Sequence, residues 1–418
     1  MSYSTKTLSL FKNKLFVVLI GFILSAIIAR LLGPRDLGTL AVIMLIPMFY
    51  QKFMSFGLGV SANYMISNKH IEIQEAASTL FYFSIVVGLL PFSFFLIFGI
   101  DSVSFLFHDV VISDWYLWPI ILTIPAYFLS NFFLKLLLSQ ENVKVINRVN
   151  QIITLLPAAC TVFLLSVTDL SLGAAIISYT SVNIFMIPLV LILYFKSLKS
   201  LPVGGFKFYI FFHLIRYGYK VFLRNIISFL HYRIDLLLIT LLLSIQQVAF
   251  YKLAASFAEK IWILNVTHHL LVSRVASSQK QYGKDLTARI FKNTFWLMMI
   301  LAIGAYFTSS FLISLVYGSE YLSVIGPFKL LLPGVVFLGS CSVLSQYFIG
   351  NGLVGWTNYV YLMSIVINVV LNLILIPKYG ISGAAIATSI TYVLSTIVMI
   401  ILFIRESSVS LKELYLID

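Results

Sequence analysis

Apolar runs of about 20 residues recur along the whole chain, and each is long enough to cross a lipid bilayer as a helix. The composition agrees, since 60% of the 418 residues are hydrophobic and only 10% are charged. Soluble domains carry about 25% charged residues. The sequence therefore predicts an all-α polytopic membrane protein. About twelve spans are expected, near residues 14–32, 37–62, 77–98, 115–138, 147–167, 171–195, 217–243, 246–273, 290–315, 325–349, 354–376 and 381–404.

Lysine and arginine cluster in alternate loops. One set of loops and the C-terminal tail hold most of these residues, among them Lys12, Lys69, Arg148, Lys199, Lys284 and Arg405. The other loops are mainly acidic. Because basic loops stay on the cytoplasmic side, both termini are expected there. The same rule accounts for most of the formal net charge of +13 without a nucleic-acid partner.

The two halves of the chain share short stretches at a nearly constant spacing. The segment "DLSLGAAIISYT" (169–180) is echoed by "YGISGAAIATSI" (379–390), at an offset of 210 residues (379 − 169). Pro333 follows Pro125 at an offset of 208 residues (333 − 125). These matches predict a duplicated unit of six helices.

The predicted repeats comprise residues 1–198 and 199–418, and both enter the membrane from the same side. Parallel repeats of this kind are typical of transporters, in which two halves enclose a central cavity and expose it alternately to the two sides. The sequence therefore predicts two six-helix repeats around a central cavity.

Charged side chains stand inside several of the apolar runs. A charge at mid-bilayer costs at least about 2.5–3.5 kcal/mol, so such residues usually face a cavity or a partner. The basic ones exceed the acidic ones: they are Arg30, Lys52, Arg224, Arg233, Lys252 and Lys260, against Asp235 and Glu259. A cavity with an excess of cations attracts an anion. The six basic residues are therefore the predicted substrate-binding set.

The seventh predicted span, 217–243, is the most heavily charged. At a rise of about 1.5 Å per residue, Asp235 lies ~13 Å and His231 ~20 Å below the turn near Ser244. His231 and Asp235 are four residues apart and share one helical face. The alternative interpretation is that these charged residues only form ion pairs with one another, Asp235 with Lys252, or Glu259 with His231 or Arg233.

Three stretches resemble a known family. They are "ARLLGPRDLGTLAV" (29–42), "LVYGSEYLSVIGPFKLLLPGVVFLG" (315–339) and "IPKYGISGAAIATSITYV" (376–393). They resemble the bacterial polysaccharide exporters and, more narrowly, the Wzx-type O-antigen flippases. This superfamily also holds the MATE drug exporters and the lipid II flippases.

The resemblance implies that the chain moves an undecaprenyl-pyrophosphate-linked oligosaccharide across the bacterial inner membrane, from the cytoplasmic to the periplasmic leaflet. It also implies that basic residues of helices 1, 2 and 8 lie in the cavity. In this sequence Arg30, Lys52 and Lys252 are the basic residues of those predicted helices. Membrane lipids, an O-antigen polymerase and a chain-length regulator are the other partners expected. No enzymatic activity, cofactor or metal site is expected.

Repeated flipping in one direction needs an energy source, and the sequence has no G-x-x-x-x-G-K-[ST] motif for ATP. We therefore expect coupling to an H⁺ or Na⁺ gradient, with His231, Asp235 and Glu259 as the ion-coupling residues. The alternative is that Asp235 is a fixed counter-ion.

Three other functions are known for membrane proteins with many spans and have to be compared with this sequence. A MATE-like exporter of cationic drugs would have acidic residues dominating its cavity, which is the reverse of the pattern here. An O-antigen polymerase or ligase usually has a large periplasmic loop, whereas the longest outer loop expected here, near 99–114, is short. A plain lipid scramblase or structural membrane protein stays open.

Overall fold

The computed structural model describes residues 3–99, 102, 114–138, 143–198, 204–262, 275 and 280–415. Every regular element within those ranges is helical, as the apolar runs predict. The helices are α1 (Tyr3–Met54), α2 (Leu58–Ser67), α3 (Ile73–Phe98), α4 (Asp114–Leu138), α5 (Val143–Val167), α6 (Ser171–Leu198), α7 (Phe208–Leu242), α8 (Ile245–Ala258), α9 (Lys280–Tyr317), α10 (Ile325–Gly350, preceded by a 3₁₀ helix at Ser319–Val324), α11 (Val354–Ser407) and α12 (Leu411–Tyr415).

Helix α1 joins the first predicted span to most of the second. It bends at Gly33, whose φ of 73° and ψ of 169° are not helical. The next residue, Pro34, has no N–H to donate to the preceding turn. The second predicted span, 37–62, is interrupted after Met54 by a turn through Gly57, which has a φ of 70°. A side chain at Gly57 would lie 2.6 Å from the carbonyl oxygen of Gly218, so glycine lets the turn pack closely against α7.

Helix α11 joins the last two predicted spans in the same way. Gly380, with φ 57° and ψ −140°, has a non-helical backbone, so two helical parts of α11 meet at a kink there. Just beyond the bend, a side chain at Gly383 would lie 2.2 Å from the carbonyl oxygen of Leu375. The missing side chain therefore lets the two parts of α11 pack against each other.

Nine helices in the described part of the chain are long and apolar enough to cross a membrane. Large apolar side chains cover the outside of these helices; Phe307 is 78% exposed and Ile97 is 74% exposed, as expected of lipid-facing positions. The chain is thus a multi-pass membrane protein. The predicted total of twelve spans stays a prediction. The predicted span 246–273 is described only through Trp262, because residues 263–274 lie outside the described ranges.

The chain divides into two compact units, Met1–Ile226 and Ile227–Asp418. The core of the first unit includes Leu80 of α3, Phe128 of α4 and Tyr194 of α6. The second unit has its own core, which includes Leu344 of α10 and Phe403 of α11. The repeat boundary at 198/199 and the central cavity stay predictions.

Candidate functional site

A hairpin of α7 and α8 positions the central carboxyl group of the second unit. Ser244 begins α8 with a capping box, in which its side chain and that of Gln247 satisfy backbone groups at the helix start. Asp235 lies nine residues before Ser244 and Tyr251 seven residues after it, so the two helices bring these side chains to one level. The Tyr251 hydroxyl donates a hydrogen bond to Oδ2 of Asp235.

Asp235 is only 6% exposed, and both of its carboxyl oxygens accept hydrogen bonds. Oδ1 accepts from the backbone N–H of Leu236 at 2.7 Å. Oδ2 accepts from Oγ1 of Thr388 at 3.2 Å, in addition to the Tyr251 hydroxyl. Donors to a buried carboxyl group replace the water that burial removes. Asp235 is therefore held in place by α8 and the second part of α11.

Two asparagines of α11 extend this cluster. Nδ2 of Asn368 donates to Oγ1 of Thr388 at 3.5 Å. Nδ2 of Asn372 donates to the backbone carbonyl and to Oδ1 of Asn368, each at 2.8 Å. Both asparagines are buried, with exposures of 2% and 0%. We call Asp235, Tyr251, Thr388, Asn368 and Asn372 the Asp235 cluster.

His231 lies one helical turn before Asp235 and is equally buried, as the shared face predicts. Its ring stacks on Tyr361 with centroids 4.7 Å apart and an angle of 6°, and it also contacts Tyr392. Neither ring nitrogen has a hydrogen-bond partner within the described residues. The alternative pairing of His231 with Glu259 is therefore not observed.

Arg233 makes the pairing that the sequence left open. Its Nη1 and Nη2 donate to Oε1 and Oε2 of Glu259 at 2.8 and 3.2 Å. This two-point geometry is the strong form of an arginine–carboxylate interaction. Asp235 does not pair with Lys252 and instead accepts its hydrogen bonds from Tyr251 and Thr388. The second carboxyl group, Glu259, thus pairs with Arg233 and is not part of the Asp235 cluster.

Lys252 and Lys260 are half-buried on the α8 side of this arrangement. Lys252 lies within electrostatic range of Arg233 and has no ion pair with an acidic side chain in the part of the chain that the structure describes. Lys260 lies within electrostatic range of Glu259. The second unit thus holds two like charges within electrostatic range of each other, on Arg233 and Lys252.

The first unit holds a like-charged pair of its own. Lys52 is exposed near the end of α1, and Lys135 of α4 lies within electrostatic range of it. Lys135 is half-buried, and its side chain packs against Gly59, where a Cβ atom would lie 3.1 Å from its Cγ. The sequence prediction overlooked Lys135. Its signal was a single lysine in the apolar run "FFLKLLL".

Arg30 is exposed in α1, and Arg224 is half-buried in α7. Their predicted part in substrate binding stays a prediction. The structure therefore brings together Asp235 and the polar residues of α8 and α11, and separately Arg233, Glu259 and Lys252.

Comparison with known proteins decides the family. The family described as "Polysaccharide biosynthesis protein" matches residues 27–326, more than two thirds of the chain. The chain belongs to this family. A search of the curated proteins gave no match.

Several solved structures share the fold at low sequence identity. A lipid II flippase, MurJ, in its inward closed conformation is 16% identical, with a TM-score of 0.79 over 97% of this chain and 89% of that one. A multidrug-resistance MATE family transporter in an inward-facing conformation is 14% identical, with a TM-score of 0.66 and 94% of each chain covered. A MOP superfamily transporter from Pyrococcus furiosus, described as having a binding pocket of reverse polarity, is 14% identical, with a TM-score of 0.59 over 97% of this chain and 94% of that one. The matched structures named here are transporters and a flippase.

Proposed function

We propose that this protein flips an undecaprenyl-pyrophosphate-linked O-antigen unit, or a similar polysaccharide repeat unit, across the bacterial inner membrane by alternating access. The family assignment supports a role in polysaccharide biosynthesis. The fold shared with a lipid II flippase supports a lipid-linked substrate. The proposed reaction makes and breaks no covalent bond, because the substrate only changes leaflet.

The like-charged pairs are the observation that most favours an anionic headgroup. Lys135 lies within electrostatic range of Lys52 in the first unit, and Lys252 lies within electrostatic range of Arg233 in the second. Two cations in a partly desolvated site repel each other, and an anion bound beside them removes that repulsion. A pyrophosphate group supplies such a negative charge at a single point of the proposed substrate.

The pair of Arg233 and Glu259 supports an exchange of partners during the cycle. A guanidinium group that binds a carboxylate at two points can bind a phosphate in the same way. In the proposed cycle Arg233 leaves Glu259 when the pyrophosphate arrives and returns when it departs. The carboxylate that exchanges in this proposal is therefore Glu259.

Asp235 is the residue that we propose for coupling to the ion gradient. A buried carboxyl group that already has three hydrogen-bond donors binds a proton or Na⁺ only if those donors rearrange, which links ion binding to the positions of α8 and α11. His231, one helical turn before Asp235, and Glu259, which pairs with Arg233, are the secondary groups that we propose for this role. The proposed driving ion is H⁺ or Na⁺.

The proposal can be tested in a bacterial strain that lacks the gene. Neutral replacement of Lys52, Arg233 or Lys252 by glutamine should reduce surface O-antigen while the protein stays in the membrane. Lys→Arg should be milder than Lys→Glu, because arginine keeps the charge. Glutamine at Lys378, an exposed cation outside the two pairs, is the matched control and should leave O-antigen unchanged.

Two results would oppose the proposal. One is full O-antigen in the triple variant that lacks all three cations. The other is unchanged O-antigen in the deletion strain together with increased sensitivity to cationic drugs, which is the behaviour expected of a MATE-like exporter.

Orientation in the membrane is part of the proposal and has its own test. A reporter that is active only in the periplasm should be silent when it is fused after Asp418 or within 199–207. The same reporter should be active near Ser104 or Ser319. Activity at the C-terminus would contradict both the predicted orientation and the even number of spans.

A further inference from the structure

Five buried polar residues form a stripe along the first part of α11. Their spacing of 4, 3, 4 and 4 residues puts them on one helical face. They are Thr357, Tyr361, Ser364, Asn368 and Asn372, and none is more than 8% exposed. At about 1.5 Å per residue the stripe is ~22 Å long.

Other helices of the second unit add polar groups along this stripe. Ser345 of α10 lies 3.3 Å from the Tyr361 hydroxyl, with Oγ and the phenol oxygen in hydrogen-bond contact. His231 of α7 stacks on the Tyr361 ring. At the far end Asn368 bonds Thr388, which bonds Asp235. We call this row of buried polar residues, which runs from Thr357 to Asp235 and includes Ser345, His231 and Thr388, the polar file.

Several buried atoms of the polar file have no hydrogen-bond partner among the residues that the structure describes. They are Oγ of Ser364, Oδ1 of Asn372, and both Nδ1 and Nε2 of His231. Buried polar atoms are almost always hydrogen-bonded, and bound water supplies the bond where the protein does not. Several such atoms along one seam therefore indicate a row of bound waters.

The chemistry of the file suits proton movement. Hydroxyl groups and a neutral imidazole each donate one hydrogen bond and accept another, as water does. Stacking on Tyr361 covers one face of the His231 ring and leaves the nitrogen atoms, which lie at the ring edge, uncovered by that contact. No group of three or more His, Cys, Asp or Glu side chains that could hold a metal ion occurs within the described ranges.

We propose that the polar file holds a chain of bound waters that carries protons between Asp235 and the Thr357 end, inside the second unit alone. This inference rests on the proposed coupling role of Asp235. A water gives one proton to a carboxyl oxygen of Asp235 and takes one from its other neighbour, so one proton moves and no other bond changes. The charged and titratable neighbours are Arg233, Tyr251 and Tyr392 at Asp235, and Tyr232, Tyr361 and Tyr392 at His231.

Radiolytic hydroxyl-radical footprinting in ¹⁸O-labelled water tests the chain directly, because buried side chains are labelled when water is bound beside them. With the protein in lipid nanodiscs, Tyr361 and Tyr392 should be labelled several-fold faster than Phe328 and Phe403, which are also buried. This measurement needs no substrate, so it stands even if the proposed function fails. Equal labelling of all four rings would overturn the proposal.

Proton transfer itself is tested with two variants and a control. In vesicles containing a pH-sensitive dye, His231→Phe keeps a stacking ring but should slow substrate-dependent proton uptake by roughly a hundredfold, the low end for a positioned proton-transfer group. Ser364→Ala should slow it less. Ser395→Ala is the control, because within the described residues this buried hydroxyl donates only to backbone carbonyls of its own helix, and uptake should be unchanged.

The outcomes separate the possible roles of the file. Labelled tyrosines with unchanged proton uptake in His231→Phe would show structural water only, and the proton role would be wrong. If His231→Phe does not fold, Ser364→Ala decides the question in its place. If Ser364→Ala makes the protein more stable and the tyrosines near residue 364 are not labelled, the polar file contains no bound water.

Discussion

Removing the Tyr251 hydroxyl tests whether the Asp235 cluster is held together as the structure shows. Tyr251→Phe keeps the buried ring and deletes a hydroxyl that donates to Oδ2 of Asp235 and lies 3.2 Å from Oγ1 of Thr388. Hydrogen bonds to charged groups contribute about 1.5–3 kcal/mol. Thr388 remains as a donor to the same oxygen, so we expect a loss of about 2 kcal/mol in the free energy of unfolding.

Thermal unfolding of the purified protein measures this loss. In a unit of 192 residues (418 − 227 + 1) each kcal/mol lowers Tm by roughly 2–4 °C, so Tyr251→Phe should lower it by roughly 4–8 °C. Ser395→Ala is the control and should change Tm little, because its backbone partners are already bonded within the helix.

A double-mutant cycle with Asp235→Asn identifies the partner of the hydroxyl. Interacting residues give a coupling energy of about 0.5–3 kcal/mol, whereas independent sites give additive effects. Additive effects, or an unchanged Tm in Tyr251→Phe alone, would refute the assignment of this hydrogen bond.

Two further perturbations test helix packing and the ion pair. Gly88→Ala would place a Cβ atom 2.5 Å from Cα of Pro125 and should destabilise the protein by about 1–3 kcal/mol. Gly304→Ala would meet no heavy atom of the other described residues within 4 Å, apart from its own helix backbone and chain neighbours, and should stabilise the protein by up to about 1 kcal/mol. Thermal unfolding shifts of the same sign for the two variants would contradict this. Glu259→Gln leaves Arg233 without its anionic partner, and because the two side chains are 23% and 35% exposed we expect a loss of about 1 kcal/mol in denaturant unfolding, not the larger loss of a fully buried pair. An unchanged midpoint for Glu259→Gln would show that the pair adds nothing to stability.

The helical membrane fold was predictable because apolar length alone decides it. The positions where one span ends and the next begins were harder to predict. Glycine and proline near residues 33 and 380 marked real bends, because Gly33 and Gly380 have positive φ and a non-helical backbone, and the helical parts on either side meet at a kink close to the predicted boundaries. Conversely, the turn at Gly57 lies inside an apolar stretch and depends on a close approach to Gly218, which no local pattern shows.

The candidate site was predictable only in part. Charged residues such as Arg233 and Asp235 stand out in an apolar helix, and their depth follows from counting residues. Their partners do not stand out, because tyrosine, threonine and asparagine are ordinary in membrane helices. Thr388 lies 153 residues from Asp235 along the chain, so only the folded structure brings the two together.

Asp235 is proposed to couple an ion gradient to the movement of a lipid-linked glycan. The most direct measurement compares wild type and Asp235→Asn in reconstituted vesicles, with and without an imposed H⁺ or Na⁺ gradient. Asparagine keeps the size of the side chain and can still accept hydrogen bonds at its amide oxygen, so the variant should retain binding of the lipid-linked glycan. Its transport rate should no longer depend on the gradient. Transport with unchanged gradient dependence, or loss of the folded protein, would contradict the coupling role and leave Asp235 as a structural residue.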